Sequence, residues 1–326
     1  MSLSKMNSAE QRPRVVATSV YNWEKYTFMY FLKGSLAGGI CCSLTHGALT
    51  PVDVVKTRIQ LEPEVYNKGM VGGFKQVIET EGAGALLTGL APTAVGYFVQ
   101  GWFKFGGVEF FKINITKKMG DQAAWDSKTS IYLASAAMAE FIADVFLCPL
   151  EACRIRLVSE PTFADSLPAT ASRLMKEEGV VGGFYSGFVP MLFKQVPYTM
   201  AKFAVQGAAA DSLYTATGVN PATSGAAAKM GVALTSGVIA GVAAAIISHP
   251  ADSLLSKVNK AGAGGSGGMM SRLANITAET GFVTLCTQGL GARCVMIGTL
   301  TAGQFAIFDT VMDTLGASKF HFHAPH

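Results

Sequence analysis

The chain repeats itself three times. Pro51-Val52-Asp53-Val54-Val55-Lys56, Pro149-Leu150-Glu151-Ala152-Cys153-Arg154 and Pro250-Ala251-Asp252-Ser253-Leu254-Leu255 align, with prolines 98 and 101 residues apart. A second marker follows each copy. Glu81-Gly82, Glu178-Gly179 and Glu279-Thr280-Gly281 lead to Gly89, Gly187 and Gly289, which lie 98 and 102 residues apart. Two markers that share one period identify a single structural unit copied three times, so whatever one unit does in space the other two must do as well.

The unit is built for lipid. Only 15% of residues are charged, against about 25% in soluble domains. Met230 to His249 is twenty residues without a formally charged side chain, enough to cross a hydrocarbon core of about 30 Å as a helix. Five further apolar stretches carry ionisable residues: Phe28–Pro51 (Lys33, His46), Pro92–Phe111 (Lys104, Glu109), Ser130–Leu150 (Glu140, Asp144), Phe188–Gly207 (Lys194, Lys202) and Leu290–Met312 (Arg293, Asp309). Charge inside a span is costly and faces a bundle interior or a water-filled path. The expected fold is an all-α membrane protein with six transmembrane helices, two per unit. Two spans return the chain to its starting side, so the units insert in parallel around a pseudo-threefold axis along the membrane normal. One span of each unit is expected to end at its proline. Short amphipathic helices at Gly73–Thr80, Ala169–Glu178 and Ser271–Thr280 then lie between the spans. The expected boundaries are an extension at 1–27, units at 28–125, 126–227 and 228–316, and a tail at 317–326.

The same features exclude other classes. No P-loop, HExxH or GxSxG motif is present, so an enzyme is not expected. None of the six cysteines forms a CxxC pair, which argues against a metal site or a disulfide framework. The net charge of +4 is too small and too diffuse for nucleic acid. The first 25 residues hold no apolar run of a secretory signal, and the linker Ala261–Gly268 is almost all Gly and Ala, hence flexible. No cofactor is expected.

Counting from Gly89, Gly187 and Gly289 exposes a stripe. Four residues on stand Thr93, Met191 and Arg293; seven on, Gly96, Lys194 and Met296; eight on, Tyr97, Gln195 and Ile297; eleven on, Gln100, Tyr198 and Leu300; fifteen on, Lys104, Lys202 and Gln304. At 3.6 residues per turn these offsets share one face. Four cations with hydroxyl and amide donors on one inward face suit an anion, which needs both. The substrate-binding candidates are therefore Thr93, Tyr97, Gln100, Lys104, Lys194, Gln195, Tyr198, Lys202 and Arg293. The other helix of each unit holds titratable groups. His46 and Asp144 lie five residues before their prolines, and Glu140 lies nine before. Glu140 and Asp144 are one turn apart, and two such carboxylates in a low dielectric do not both ionise cheaply, so one holds a proton. His46 titrates near neutrality as a residue type. His46, Glu140 and Asp144 are the proton-coupling candidates.

Three copies of Pro-x-Asp/Glu-x-x-Lys/Arg at this spacing, from about Phe28 to Leu315, resemble the mitochondrial carrier family. Thr45-His46, Pro51 to Pro63, Tyr66 to Met70, Phe103 to Gly107, Ala137 to Glu140 and His249 to Lys260 are similar to its phosphate-carrying members. The resemblance implies a multi-pass carrier of the inner mitochondrial membrane, with both termini outside the matrix, that imports inorganic phosphate with a proton. It implies roles for His46, Asp53, Lys104, Glu140 and Glu151. It also implies a matrix gate of Asp53, Lys56, Glu151, Arg154 and Asp252, braced by Gln60. Leu255 occupies the third basic slot, so this gate is expected to be one base short. On the other side a partial cytoplasmic gate is expected from Glu109, Lys112 and Asp309, since Gln206-Gly207 supplies no acid and Met312 no base. The expected surroundings are membrane lipids, cardiolipin among them, around a monomer. The alternative is a carrier of the same fold for another small anion or for copper, whose soft-ligand chemistry favours Cys and Met; Cys41 and Cys42 are not expected on the stripe.

Overall fold

The structure is a computed structural model that describes residues 19–61, 64–160, 162–220, 223–258 and 269–323. The linker Ala261–Gly268 and the side chains of Gln60 and Leu255 lie outside the described residues. The described chain is helical: α1 Phe28–Leu61, α2 Gly69–Glu81, α3 Leu90–Met119, α4 Asp121–Asp126, α5 Lys128–Ser159, α6 Leu167–Glu177, α7 Phe188–Thr217, α8 Ala226–Val258, α9 Met269–Thr280, α10 Phe282–Thr287 and α11 Leu290–Thr314.

The six long helices have 34, 30, 32, 30, 33 and 25 residues. They close into a ring: α1 packs on α3, α3 on α5, α5 on α7, α7 on α8, α8 on α11, and α11 back on α1. The segments Lys128–Leu157, Ala226–Leu254 and Phe282–Thr314 are long and apolar enough to cross a bilayer alone. Ala83–Met119 also qualifies when joined to α2, from which it bends by 118°. Helices α1 and α7 fall short because a wall of the ring needs an apolar surface only on its lipid side. Leu44 of α1 and Phe193 of α7 are exposed there, while Lys33, His46, Lys194 and Lys202 lower the average on the same helices.

The short helices α2, α6 and α9 fall where the amphipathic pattern places them. Ser166 caps α6 by accepting from the amide of Ala169, which satisfies one of the free donors of a helix start. The repeated glycines are explained by their backbone: Gly82, Gly179 and Gly281 have φ of +86, +73 and +80°, a region that costs a residue with Cβ but not glycine.

The prolines depart from expectation. Pro51, Pro149 and Pro250 lie inside α1, α5 and α8, which continue to Leu61, Ser159 and Val258. A proline removes one backbone bond and disturbs the turn before it, but packing of the following turn sustains these helices. The motif acids and bases therefore sit on helix rather than in loops.

Glycine sets the closest helix contact. A Cβ on Gly38 would fall on the carbonyl of Gly101, and one on Gly101 on the carbonyl of Gly38. In the third unit, a Cβ on Gly237 would meet Ala302 at 2.6 Å and one on Gly241 the carbonyl of Ile297 at 2.6 Å. Small residues let helix backbones touch where lipid supplies no hydrophobic drive. Gly34, one turn before Gly38, has nothing within 4 Å and takes no part. Replacing Gly38 with Leu is expected to cost about 3 kcal/mol or more by overpacking, whereas Gly34→Leu is expected to be tolerated; melting temperatures of the two purified variants in detergent check the difference.

Candidate functional site

The middle of the ring is polar and buried. Glu140 on α5 is fully buried, and its oxygens accept from Lys104 Nζ at 3.0 Å, Gln100 Nε2 at 3.0 Å and Thr199 Oγ1 at 2.8 Å. Three donors from α3 and α7 thus hold one carboxylate of α5. Asp144, one turn away, is equally buried, yet both its carboxyl oxygens are without a hydrogen-bond partner among the described residues. Lys202 of α7 donates to Gln304 Oε1 of α11 and has no carboxylate within 4.0 Å among the described residues. Tyr198 Oη and Thr301 Oγ1 lie 3.5 Å apart beside it. His46 stacks on Tyr97 with ring centroids 3.6 Å apart and planes 4° from parallel, and Thr93 is buried with a hydroxyl lacking a partner among the described residues.

One residue beyond Lys104, Lys202 and Gln304 on each helix stands a phenylalanine: Phe105, Phe203 and Phe305. They form a triangle, with centroids 5.0, 5.7 and 5.6 Å apart. The Lys202 ammonium lies 5.0, 5.5 and 5.4 Å from the three ring centres. Ring faces attract a desolvated cation by about 2 kcal/mol, which partly offsets the cost of burying this lysine. The triangle seals the polar core on the side of the chain termini. The sequence reading stopped at the cations and passed over these rings, although the same offset count, carried one residue further, reaches them. It also missed Thr199, one residue beyond Tyr198 and matched in the third unit by Thr301.

At the proline-side mouth one arginine serves two acids. Arg154 reaches Asp53 of the first unit at 3.0 Å and Glu151 of its own helix at 2.8 Å. Lys56 makes no ion pair among the described residues, and Gln60, placed in this gate by the sequence, has its side chain outside them. The expected shortage at Asp252 is corrected by the structure: Lys194 approaches it at 3.4 Å, and Arg293 pairs with it while also donating to Ser248. Lys194 and Arg293 lie at the outer end of the stripe, close enough to the helix ends to reach the mouth, and Gln195 beside them has no partner in the core. Cys42 is corrected too, since its Sγ lies 3.7 Å from Gln304 Nε2 and so touches the stripe. His249 serves structure, bonding the Gln288 carbonyl at 3.1 Å.

At the opposite mouth the network is fuller than expected. Glu109 accepts from Lys112 at 2.5 Å and Tyr30 Oη at 2.6 Å. Asp309 accepts from Lys319, beyond the last helix, at 2.9 Å. Where α7 lacks an acid, a Cβ on Gly207 would meet the Tyr132 ring at 2.5 Å, so that ring fills the place.

The comparisons agree with this geometry. The profile described as "Mitochondrial carrier protein" matches residues 28–119, 126–216 and 226–319. Mitochondrial substrate carrier family protein N of Dictyostelium discoideum is 47% identical over 88% of this chain and 95% of its own. The probable mitochondrial phosphate carrier protein of Schizosaccharomyces pombe is 43% identical over 87% of this chain and 91% of its own. Solute carrier family 25 member 3 of Homo sapiens is 39% identical over 97% and 84%.

Arg154→Gln leaves Asp53 and Glu151 without their shared base. A lost hydrogen bond to a charged partner costs about 1.5–3 kcal/mol, so the melting temperature in detergent is expected to fall. Lys56→Gln, which removes no ion pair among the described residues, is expected to leave it nearly unchanged.

Proposed function

Because the chain belongs to the mitochondrial carrier family, transporters of the inner mitochondrial membrane and not enzymes, we propose that its cargo is inorganic phosphate, carried together with a proton. The observation that carries this reading is the pair of buried lysines, one with a carboxylate partner and one without. Lys104 is neutralised by Glu140; among the described residues Lys202 has an amide oxygen and ring faces but no carboxylate. A buried cation without a counter-ion is costly, and an entering anion supplies one. The curated relatives named as phosphate carriers support phosphate over another anion.

The coupling follows from competition for Lys104. A phosphate held between Lys104 and Lys202 with Gln100, Gln304 and Tyr198 takes the ammonium away from Glu140. Glu140 then keeps only the neutral donors Gln100 and Thr199, and an uncompensated carboxylate in this environment is expensive. Taking up a proton removes that cost. Asp144 sits one turn along α5 without a donor, which a carboxylate tolerates poorly and a carboxylic acid far better, so the pair together stores the proton. His46, stacked on Tyr97 one turn from Gln100, is the third titratable group near the pair and serves as the relay for the proton. Leaving together, the monoanion and the proton carry no net charge across the core. Hydroxide exchange gives the same net flux and the same site chemistry.

Alternating access then uses the two mouths. The termini side faces the intermembrane space and the proline side the matrix. Asp53, Arg154, Glu151 and Asp252, with Lys194 and Arg293, close the matrix side, while Glu109, Lys112 and Asp309 belong to the closure of the other.

Glu140→Gln keeps the size and hydrogen bonding of the side chain but does not ionise. Uptake of labelled phosphate into liposomes is expected to lose its response to an imposed pH difference, while phosphate still raises the melting temperature of the variant. Accumulation that follows the pH difference in this variant removes Glu140 from the proton path. Lys104→Gln is expected to abolish both uptake and the phosphate-dependent thermal shift.

A further inference from the structure

The last described residues do not trail into solvent. Helix α11 ends in a reversal: Gly316 has φ of +67°, and the amide of Ala317 returns to the carbonyl of Met312 at 2.9 Å, the pattern of a glycine-terminated helix. The chain is thereby turned back over the mouth it has just left. There Lys319 donates to Asp309 at 2.9 Å. The amide of Phe320 donates to Glu109 at 2.8 Å, and its carbonyl accepts from Lys112 at 3.1 Å. Tyr30 Oη donates to the carbonyl of Ser318 at 3.2 Å, and the amide of His323 donates to Tyr21 Oη at 3.0 Å. His321 Nδ1 faces Asp211 at 3.8 Å. Phe320 is 1% exposed, packed on Tyr21, Tyr26 and Phe322 with centroids 5.0 to 5.6 Å away, and Phe322 lies 5.4 Å from Tyr132.

These contacts have a common geometry. Tyr30 belongs to α1, Glu109 and Lys112 to α3, Tyr132 to α5, Asp211 to α7 and Asp309 to α11, so seven residues of tail bind five of the six ring helices at one end. Lys319 and His321 line both an outer vestibule of about 1280 Å³ and the small space above the phenylalanine triangle. The tail is the wall between them. Lys319 also fills a vacancy in the repeat: the acid of the last span, Asp309, has Met312 three residues on where the first span has Lys112 after Glu109. Burial disfavours charge on Lys319, but Asp309 beside it, with Tyr214 and Glu109 further off, outweighs that effect and holds its ammonium above the ordinary lysine range.

We propose that residues 317–323 are the shutter of the termini-side mouth, with Lys319 supplying the base that Met312 does not and Phe320 its plug. The five helices cannot part at this end while the strap joins them. Phosphate entering from this side therefore waits on release of the tail, and the charged partners that hold it, Glu109, Lys112 and Asp309, are the residues the opening exposes. This inference rests on the transport reading for its consequence, and on the geometry alone for the shutter.

Two experiments on the full-length chain test it. In the first, Tyr132→Cys and Phe322→Cys are combined with Cys286→Ser and Cys294→Ser, and joined by a short thiol-cleavable crosslinker in liposomes. Phosphate uptake is expected to fall about tenfold or more on crosslinking and to recover on reduction, since closing steps of this kind limit turnover. Crosslinked protein that transports at the unlinked rate overturns the proposal. In the second, Ala210→Cys, which lies behind the tail on α7, is labelled with an impermeant maleimide. Adding Phe320→Ala is expected to speed labelling about tenfold by favouring local opening; an unchanged labelling rate overturns the shutter. Absence of phosphate uptake in the uncrosslinked protein counts against the transport reading, and the labelling result then decides the shutter by itself.

Discussion

Everything in this molecule is arranged around the cost of holding lysine in the middle of a membrane. Lys104 and Lys202 are 4% and 1% exposed, and their ammonium groups lie within a ring of six helices. An isolated charge at that depth costs several kcal/mol on most scales. Glu140 meets that cost for one lysine, and an amide with a triangle of aromatic faces reduces it for the other. The difference between those two solutions creates the site. A fully paired core has no reason to admit an ion, and an unpaired one does not assemble. Here Lys104 has a carboxylate partner and Lys202, among the described residues, has an amide oxygen and ring faces in its place.

The repeat carries the frame of this arrangement but not its contents. Equivalent positions hold Lys104, Lys202 and Gln304, and a threefold set of phenylalanines lies directly beyond them. The buried carboxylates are singular: Glu140 is matched by Cys42 and Gly241, and Asp144 by His46 and Ala245. A symmetric scaffold thus carries unsymmetric side chains in its core. Thr199 sharpens that asymmetry, because it donates to Glu140 from a helix whose own stripe residues point at the third unit.

The three copies of the proline motif made the six-helix ring legible before any coordinates, since period and polarity leave few other ways to bury so many charges. The offset count likewise found Lys104, Lys202, Gln100 and Tyr198 on one inner face, and the core contains them. What escaped was set by reach rather than by spacing. Lys194 and Arg293 share the stripe, yet their long side chains turn to Asp252 at the mouth, which no periodicity encodes. The prolines read as helix ends, but a helix with neighbours on both flanks survives the loss of one backbone bond. Lys319 lay beyond the repeat and had no pattern to announce it; only the missing base at Met312 hinted that the chain must supply one from elsewhere.

The glycine contacts have a mechanical meaning. Gly38 against Gly101 joins α1 to α3, and Gly237 and Gly241 join α8 to α11, so the backbones of the first and third units are locked helix to helix. Close backbone contact therefore joins the two long helices within each of these two units. Several polar bonds run between units, Lys104 to Glu140, Lys202 to Gln304, Arg154 to Asp53 and Lys194 to Asp252, while Thr199 to Glu140 and Arg293 to Asp252 lie within one. The boundaries between units are held by packing, α3 on α5 and α7 on α8, and by the polar bonds that cross them. A single side-chain pair, Lys104 with Glu140, thus ties helices of 30 and 32 residues across a unit boundary.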